Sequence, residues 1–179
     1  GAIASALAAM VAGLTIGKKG YEDTGEIMKH IQTLALTQKT GFVVDIDRDS
    51  EAYNKVFDCF KLPKSTDEEK KIRSAAIQEA TKFAALVPMQ VARNAYELMG
   101  IIADVAKMGN RNAVTDACVA MISARSAVLA ALMNVRINLG SLKDRTFVEQ
   151  LQSEADELER KACIKEKELL DAINQDLRI

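Results

Sequence analysis

The sequence predicts an all-α fold, a multihelical bundle of long antiparallel helices, and three observations predict it. Hydrophobic residues make up 49% of the 179 positions while aromatic residues make up 4% and tryptophan is absent. The interior must therefore be filled by Ala, Leu, Ile, Val and Met, which suits close helix packing better than an aromatic-rich β-sandwich. Only two prolines and nine glycines punctuate the chain, too few for an architecture of many short strands and tight turns. Apolar residues recur at helical separations through the long stretches between them. The length suits a single domain, 1–179.

The opening stretch Gly1 to Ala12 is apolar all round, as in a fully buried helix, and far shorter than the roughly 20 residues that cross a bilayer. It starts without a cap, as if inside a helix whose beginning lies upstream. A glycine-flanked loop with Lys18 and Lys19 follows, and Asp23-Thr24 can cap a second helix. That helix carries Ile27, Ile31, Leu34, Phe42, Ile46, Tyr53, Val56 and Phe57 near a 3.6 period, bends at Gly41 and stops before Pro63. Ser65-Thr66-Asp67-Glu68-Glu69 supplies capping oxygens and first-turn acids for a third helix to about Met108, kinked by Pro88. Gly109 stops it and Asn112 can cap a fourth helix, from Ala113 to about Leu139, apolar enough to be central. Phe147, Leu151, Leu158, Ala162, Leu169 and Ile173 form a narrow stripe on a charged fifth helix, from about Asp144 to Asn174, expected on the outside.

The formal net charge of −1 gives no electrostatic footprint for nucleic acid or an anionic membrane. Cys59, Cys118 and Cys163 are odd in number and widely spaced, which fits neither a disulfide framework nor a metal knuckle and implies a reducing, cytoplasmic setting. The single histidine, His30, cannot build a His-based metal site and reads as a solvated helix residue. Gly-rich phosphate loops, HExxH and GxSxG are missing, so any chemistry must use carboxylates, amides, hydroxyls or lysines.

Three clusters hold such groups. Asp45, Asp49 and Tyr53 share one helical face, where neighbouring carboxylates can raise a pKa; an acidic solvent face countered by Arg48 is the plain alternative. In Gly109 to Asp116, capping accounts for Gly109 and Asn112 but less well for Asp116, a full turn inside an apolar helix. Asn134 and Asn138 lie on one stripe with Arg136 roughly opposite, and either bond between helices or contact a ligand. Lys18, Lys19, Lys61 and Lys64 flank helix ends, where charged ligands are often received.

Taken together, Met10 to Lys19, Asp49 to Tyr53, Leu62 to Lys70, Val87-Pro88, Gly109-Asn110, Thr115 to Ala117, Asn134-Val135 and Ile137-Asn138 resemble the cyclodeaminase/cyclohydrolase family of folate enzymes in order and separation. The resemblance covers essentially the whole chain. It implies a multihelical homodimer, cytoplasmic, acting on a tetrahydrofolate derivative with no metal and no cofactor beyond that substrate. It also implies an N-terminal helix and a PGGGS-type turn upstream of the point matching Gly1, and residues 1–179 hold neither.

On that resemblance Asp49 and Asp116 are expected as the proton-transferring carboxylates. Asn110, Asn134 and Asn138 are expected to position pterin and water, and Lys18 and Lys64 to receive the acidic glutamyl tail. The first expectation is a 5,10-methenyltetrahydrofolate cyclohydrolase giving 10-formyltetrahydrofolate, favoured by the free-standing chain and the run Leu62 to Lys70. The alternative is a formiminotetrahydrofolate cyclodeaminase releasing ammonia. A third reading is a non-catalytic helical binding or dimerisation module whose polar residues only cap and cross-link helices.

Overall fold

A computed structural model describes residues 1–177. Its helices are α1 (Ala2–Gly13), α2 (Gly25–Cys59), α3 (Asp67–Met108), α4 (Val114–Leu139) and α5 (Arg145–Leu177), with single 3₁₀ turns at Glu22–Thr24 and Arg111–Ala113. No strand occurs among the described residues. The central helix is α4, packed against α1, α3 and α5, while α2 lies across α1 and α3.

Small residues set this arrangement. Ala4, Ala8 and Ala12 repeat every four residues along α1, and Ala117, Ala120 and Ala124 line the inner face of α4, all fully buried. Short side chains let helix axes come close. Met89, Leu98, Met99 and Ile102 of α3 then interlock with Met121, Val128, Leu132 and Val135 of α4 to form the main core. Residues 111–139 are long and apolar enough to cross a membrane by composition alone, yet this is the helix the rest of the bundle wraps.

The two apolar helices are less enclosed than their composition predicts. Ile3 and Met10 of α1 face outward, and Met133 and Ile137 of α4 are 71% and 76% exposed. The reason is geometric: α4 is covered on the sides facing α1, α3 and α5 and is open between them. In α2 the inward face is Met28, Ile31, Ala35, Phe42 and Ala52, so Ile46, Tyr53 and Phe57 of the expected apolar set point out instead.

Helix starts follow the sequence in one case and depart from it in two. Thr66 and Glu69 form a reciprocal capping box at α3. Thr24 does not cap α2; its hydroxyl donates back to the Tyr21 carbonyl. At α4 the cap is Asn110 rather than Asn112: Asn110 Oδ1 accepts from the Asn112 N–H at 3.1 Å and opens the 3₁₀ turn. In both cases a 3₁₀ turn precedes the α-helix; before α4 the cap opens that turn, whereas before α2 no side chain caps either start. The second helix runs unbroken through Gly41, and the third continues helically through Pro88.

At Gly109 a side chain is impossible, since a Cβ there would lie 2.4 Å from the Val105 carbonyl oxygen. That contact lets the chain turn directly over Thr15, which is fully buried and joins two loops. Its hydroxyl donates to the Val11 carbonyl and accepts from the Asn110 N–H, each at 2.8 Å.

The charged outer helix α5 buries Leu151, Ala155 and Ala162, with Phe147, Leu158 and Leu169 half-buried, as its stripe predicts. It is pinned by arginines of the inner helices: Arg93 to Glu154 at 2.6 Å, Arg125 to Glu166 at 2.9 Å, and Arg136 to Asp156 and Glu159.

Two outcomes follow. Thr15→Val keeps the shape but strands the buried Asn110 N–H, and is expected to destabilise by about 1–3 kcal/mol in urea denaturation. The Arg93 guanidinium holds the Glu154 carboxyl below its ordinary value of 4.5. A depressed carboxylate contributes stability that is whole above the unfolded value and is lost as pH falls through the folded one. The stability difference between wild type and Glu154→Gln should therefore vanish on acidification below that range, as read by denaturation at a series of pH values.

Candidate functional site

A groove runs between α2 and α4 over a floor of α3. It consists of two adjoining hollows of about 340 Å³ and 280 Å³ that share Asp49 and Asn134. The groove exists because Ala84 of α3 and Ala127, Ala130 and Ala131 of α4 are too short to fill the space. Phe42, Asp45 and Pro88 line the larger hollow, and Tyr53, Ile137 and Asn138 the smaller.

On the α2 wall the spacing of four residues stacks Asp45, Asp49 and Tyr53 along the groove. Asp45 is 6% exposed and accepts from Arg48 Nη1 at 2.7 Å. Asp49 is exposed and has no salt-bridge partner among the described residues. The groove thus carries one spent carboxylate and one available carboxylate. The i, i+4 spacing had placed Asp45 on the same face as Asp49, and the structure shows it to be the one of the two held by Arg48.

On the α4 wall Asn134 and Asn138 are a turn apart, as predicted, and both reach the groove. Asn134 Nδ2 makes only a 3.5 Å contact with the Ala130 carbonyl, so its amide is nearly free. Asn138 is engaged: its Nδ2 donates to the Ala84 carbonyl of α3 at 3.0 Å and to the Asn134 carbonyl at 2.9 Å. Arg136, on the other side of α4, is turned away toward α5.

The remaining expected residues lie elsewhere. Asp116 is half-buried in the first turn of α4, and the 18 residues separating it from Asn134 amount to about 27 Å along the helix. One chain does not bring Asp49 and Asp116 together. Near that far end Lys18 Nζ donates to Asn110 Oδ1 at 2.5 Å and sits 5.6 Å from the centre of the Tyr21 ring. Asn110 is buried, with its Nδ2 on the Leu14 carbonyl at 3.3 Å and its Oδ1 shared between Lys18 and the Asn112 N–H. These bonds tie the α1–α2 and α3–α4 connections together and account for Asn110 without a ligand. Lys64 is exposed between α2 and α3 and lines neither hollow of the groove. His30 is exposed on α2. No three His, Cys, Asp or Glu side chains converge on a metal-binding geometry among the described residues.

Sequence reasoning placed Tyr53 on the face of Asp45 and Asp49 but did not single out Ile137 as a wall or Pro88 as part of the floor. Tyr53, 68% exposed, also stood in the apolar set of α2, because apolar periodicity does not tell a core from a cleft rim; Ile137 is 76% exposed.

Comparison with known proteins places the chain in a family. The family model described as Formiminotransferase-cyclodeaminase matches residues 1–157. Methenyltetrahydrofolate cyclohydrolase of Methylorubrum extorquens is 40% identical over 162 residues, covering 88% of this chain and 76% of that one. Formimidoyltransferase-cyclodeaminase of Mus musculus is 30% identical over 149 residues, 83% of this chain but only 28% of the mouse protein. The crystal structure of formiminotetrahydrofolate cyclodeaminase from Thermotoga maritima superposes with a TM-score of 0.82 at 32% identity, covering 96% of this chain and 83% of that one. The chain belongs to the formiminotransferase-cyclodeaminase family of folate cyclodeaminases and cyclohydrolases.

Proposed function

We propose that this protein is a formiminotetrahydrofolate cyclodeaminase, with Asp49 as its proton-transferring group. The observation that carries the reading is the groove itself, where an unpaired carboxylate stands beside two amides. The family match and the Thermotoga maritima cyclodeaminase structure support the reaction.

In this reaction N10 of the substrate attacks the formimino carbon and the N10 proton passes to the imine nitrogen. The nitrogen then leaves as ammonia with a second proton, from the acid form of the carboxylate. What remains is the cationic N5–C–N10 methenyl bridge. Asp49 serves twice: it protonates the leaving nitrogen and becomes an anion as the bridge becomes a cation. Both effects grow toward the transition state, which is the condition for acceleration. Asn134 orients the reacting edge, and Lys64 receives the glutamyl tail.

The 40% identity to the Methylorubrum extorquens enzyme favours a second reading, hydrolysis of the methenyl bridge to 10-formyltetrahydrofolate. There Asp49 removes a proton from the attacking water. Pairing with the cation gives no advantage in that direction, because the charge fades as the water adds. Ammonia release from formiminotetrahydrofolate and absorbance loss of methenyltetrahydrofolate, measured side by side, separate the two, and turnover of neither favours the non-catalytic module. Cys59, Cys118 and Cys163 are unbridged, which suits the reducing cytoplasm proposed as its setting.

A homodimer is proposed on the outward apolar residues flanking the groove, among them Ile46, Met133 and Ile137. Asp116 and Lys18 join the groove only if a second copy brings the far end of α4 to it.

Asp49→Asn is expected to keep its helicity and melting temperature while turnover falls by at least ~10²-fold, the scale of a lost general acid or base. For Asp116 the decisive measurement is complementation. If two copies share each site, Asp49→Asn and Asp116→Asn are each nearly inactive, and their refolded equimolar mixture regains about a quarter of wild-type activity. Full activity of Asp116→Asn alone removes that residue from the chemistry.

A further inference from the structure

Resting on the folate reading above, we propose that Pro88 decides which end of the Asn138 amide meets the ligand, making Asn138 a hydrogen-bond acceptor that selects a ring edge carrying N–H donors. In a regular helix the residue at 88 would donate its N–H to the carbonyl four residues back. Proline has no N–H, so the Ala84 carbonyl is left without its helical partner in a buried part of α3. Such a carbonyl is costly unless another donor reaches it. Asn138 Nδ2 does so from α4 at 3.0 Å, and its second hydrogen serves the Asn134 carbonyl at 2.9 Å.

Both partners are acceptors, so the orientation of the amide follows from the network. The flipped amide would set Oδ1 against two carbonyl oxygens. The donor end is therefore spent inside the protein. Asn138 Oδ1 makes no hydrogen bond among the described residues, and Asn138 lines the 280 Å³ hollow together with Asp49 and Tyr53. Asn138 thus presents to this part of the groove an acceptor that no protein donor occupies. An aminopyrimidinone edge, with its amino and ring N–H groups, is complementary to that oxygen; a carbonyl placed against it would meet oxygen with oxygen. The proline defect thereby acts on specificity through a residue of a different helix.

The test uses the whole chain and reads both melting temperature and KM for the folate substrate. Asn138→Ala should lower the melting temperature, because the Ala84 carbonyl loses its donor, and raise KM about tenfold, the scale of one hydrogen bond. Adding Pro88→Ala gives position 88 an N–H for that carbonyl, so the double variant should regain the lost melting temperature while KM stays high. Pro88→Ala with Asn138→Asp keeps an acceptor and no longer needs the donor. Its KM should lie about tenfold below that of Pro88→Ala with Asn138→Ala. The proposal is overturned if KM recovers together with melting temperature in the first double variant, which would make Asn138 a scaffold only. It is also overturned if the Asp and Ala double variants have equal KM, or if Pro88→Ala restores no stability. Wild-type protein that turns over neither folate substrate overturns the reading beneath it and this assignment together, whereas active wild type with recovered KM overturns this assignment alone.

Discussion

Close approach of helices through alanine is the constraint on which the rest depends. A chain with 4% aromatic residues and no tryptophan cannot fill a wide interior with large rings, so its helices must come together until methionine and leucine suffice to close the gaps. Ala4, Ala8 and Ala12 of α1 against Ala117, Ala120 and Ala124 of α4 make that approach possible. The same economy has a second effect. Where alanines of α3 and α4 face α2, which packs on α3 but not closely on α4, the missing volume becomes the groove. Tight packing on one side of α4 and a cleft on the other arise from the same kind of residue.

The chemistry of the groove depends on which polar groups remain unspent. Asp45 is committed to Arg48, Asn138 gives its donor end to the backbone, and Asn110 is consumed in joining two loops. Asp49 and the amide of Asn134 remain available. On the proposed cyclodeaminase reading, proton donation by the carboxylate coincides with the gain of positive charge on the bridge, so the electrostatic and proton-transfer contributions act together. In the hydrolytic direction they do not, and more of the barrier must be lowered by placing the water.

The fold was legible in the sequence wherever a local signal had a local cause. Thr66 and Glu69 mark the start of α3, and the stripe from Phe147 to Ile173 marks an outer helix. Caps at Thr24 and Asn112 were misplaced because a 3₁₀ turn before each helix depends on what the loop must reach, such as Asn110 reaching Thr15 and Lys18. The α2–α4 half of the site was legible for a similar reason: Asp45, Asp49 and Tyr53 on one stripe, and Asn134 and Asn138 on another, are relations within single helices. That Asp116 lies near the other end of α4 from Asn134 was readable from the helix rise alone. That Tyr53 and Ile137 form a rim rather than a core was not, since it depends on how far α2 stands from α4.

The composition of α4 has a consequence for how the protein is made. Residues 111–139 are as apolar as a bilayer-spanning segment, and the helix that supplies their last cover, α5, follows them in the chain. During synthesis α4 emerges from the ribosome before Leu151, Ala155 and Ala162 are free to lie against it. For the seconds needed to translate α5, at about 5–20 residues per second, that side is a naked greasy rod. The arginines that α4 carries toward α5, Arg125 and Arg136, interrupt this surface with charge until their acidic partners arrive.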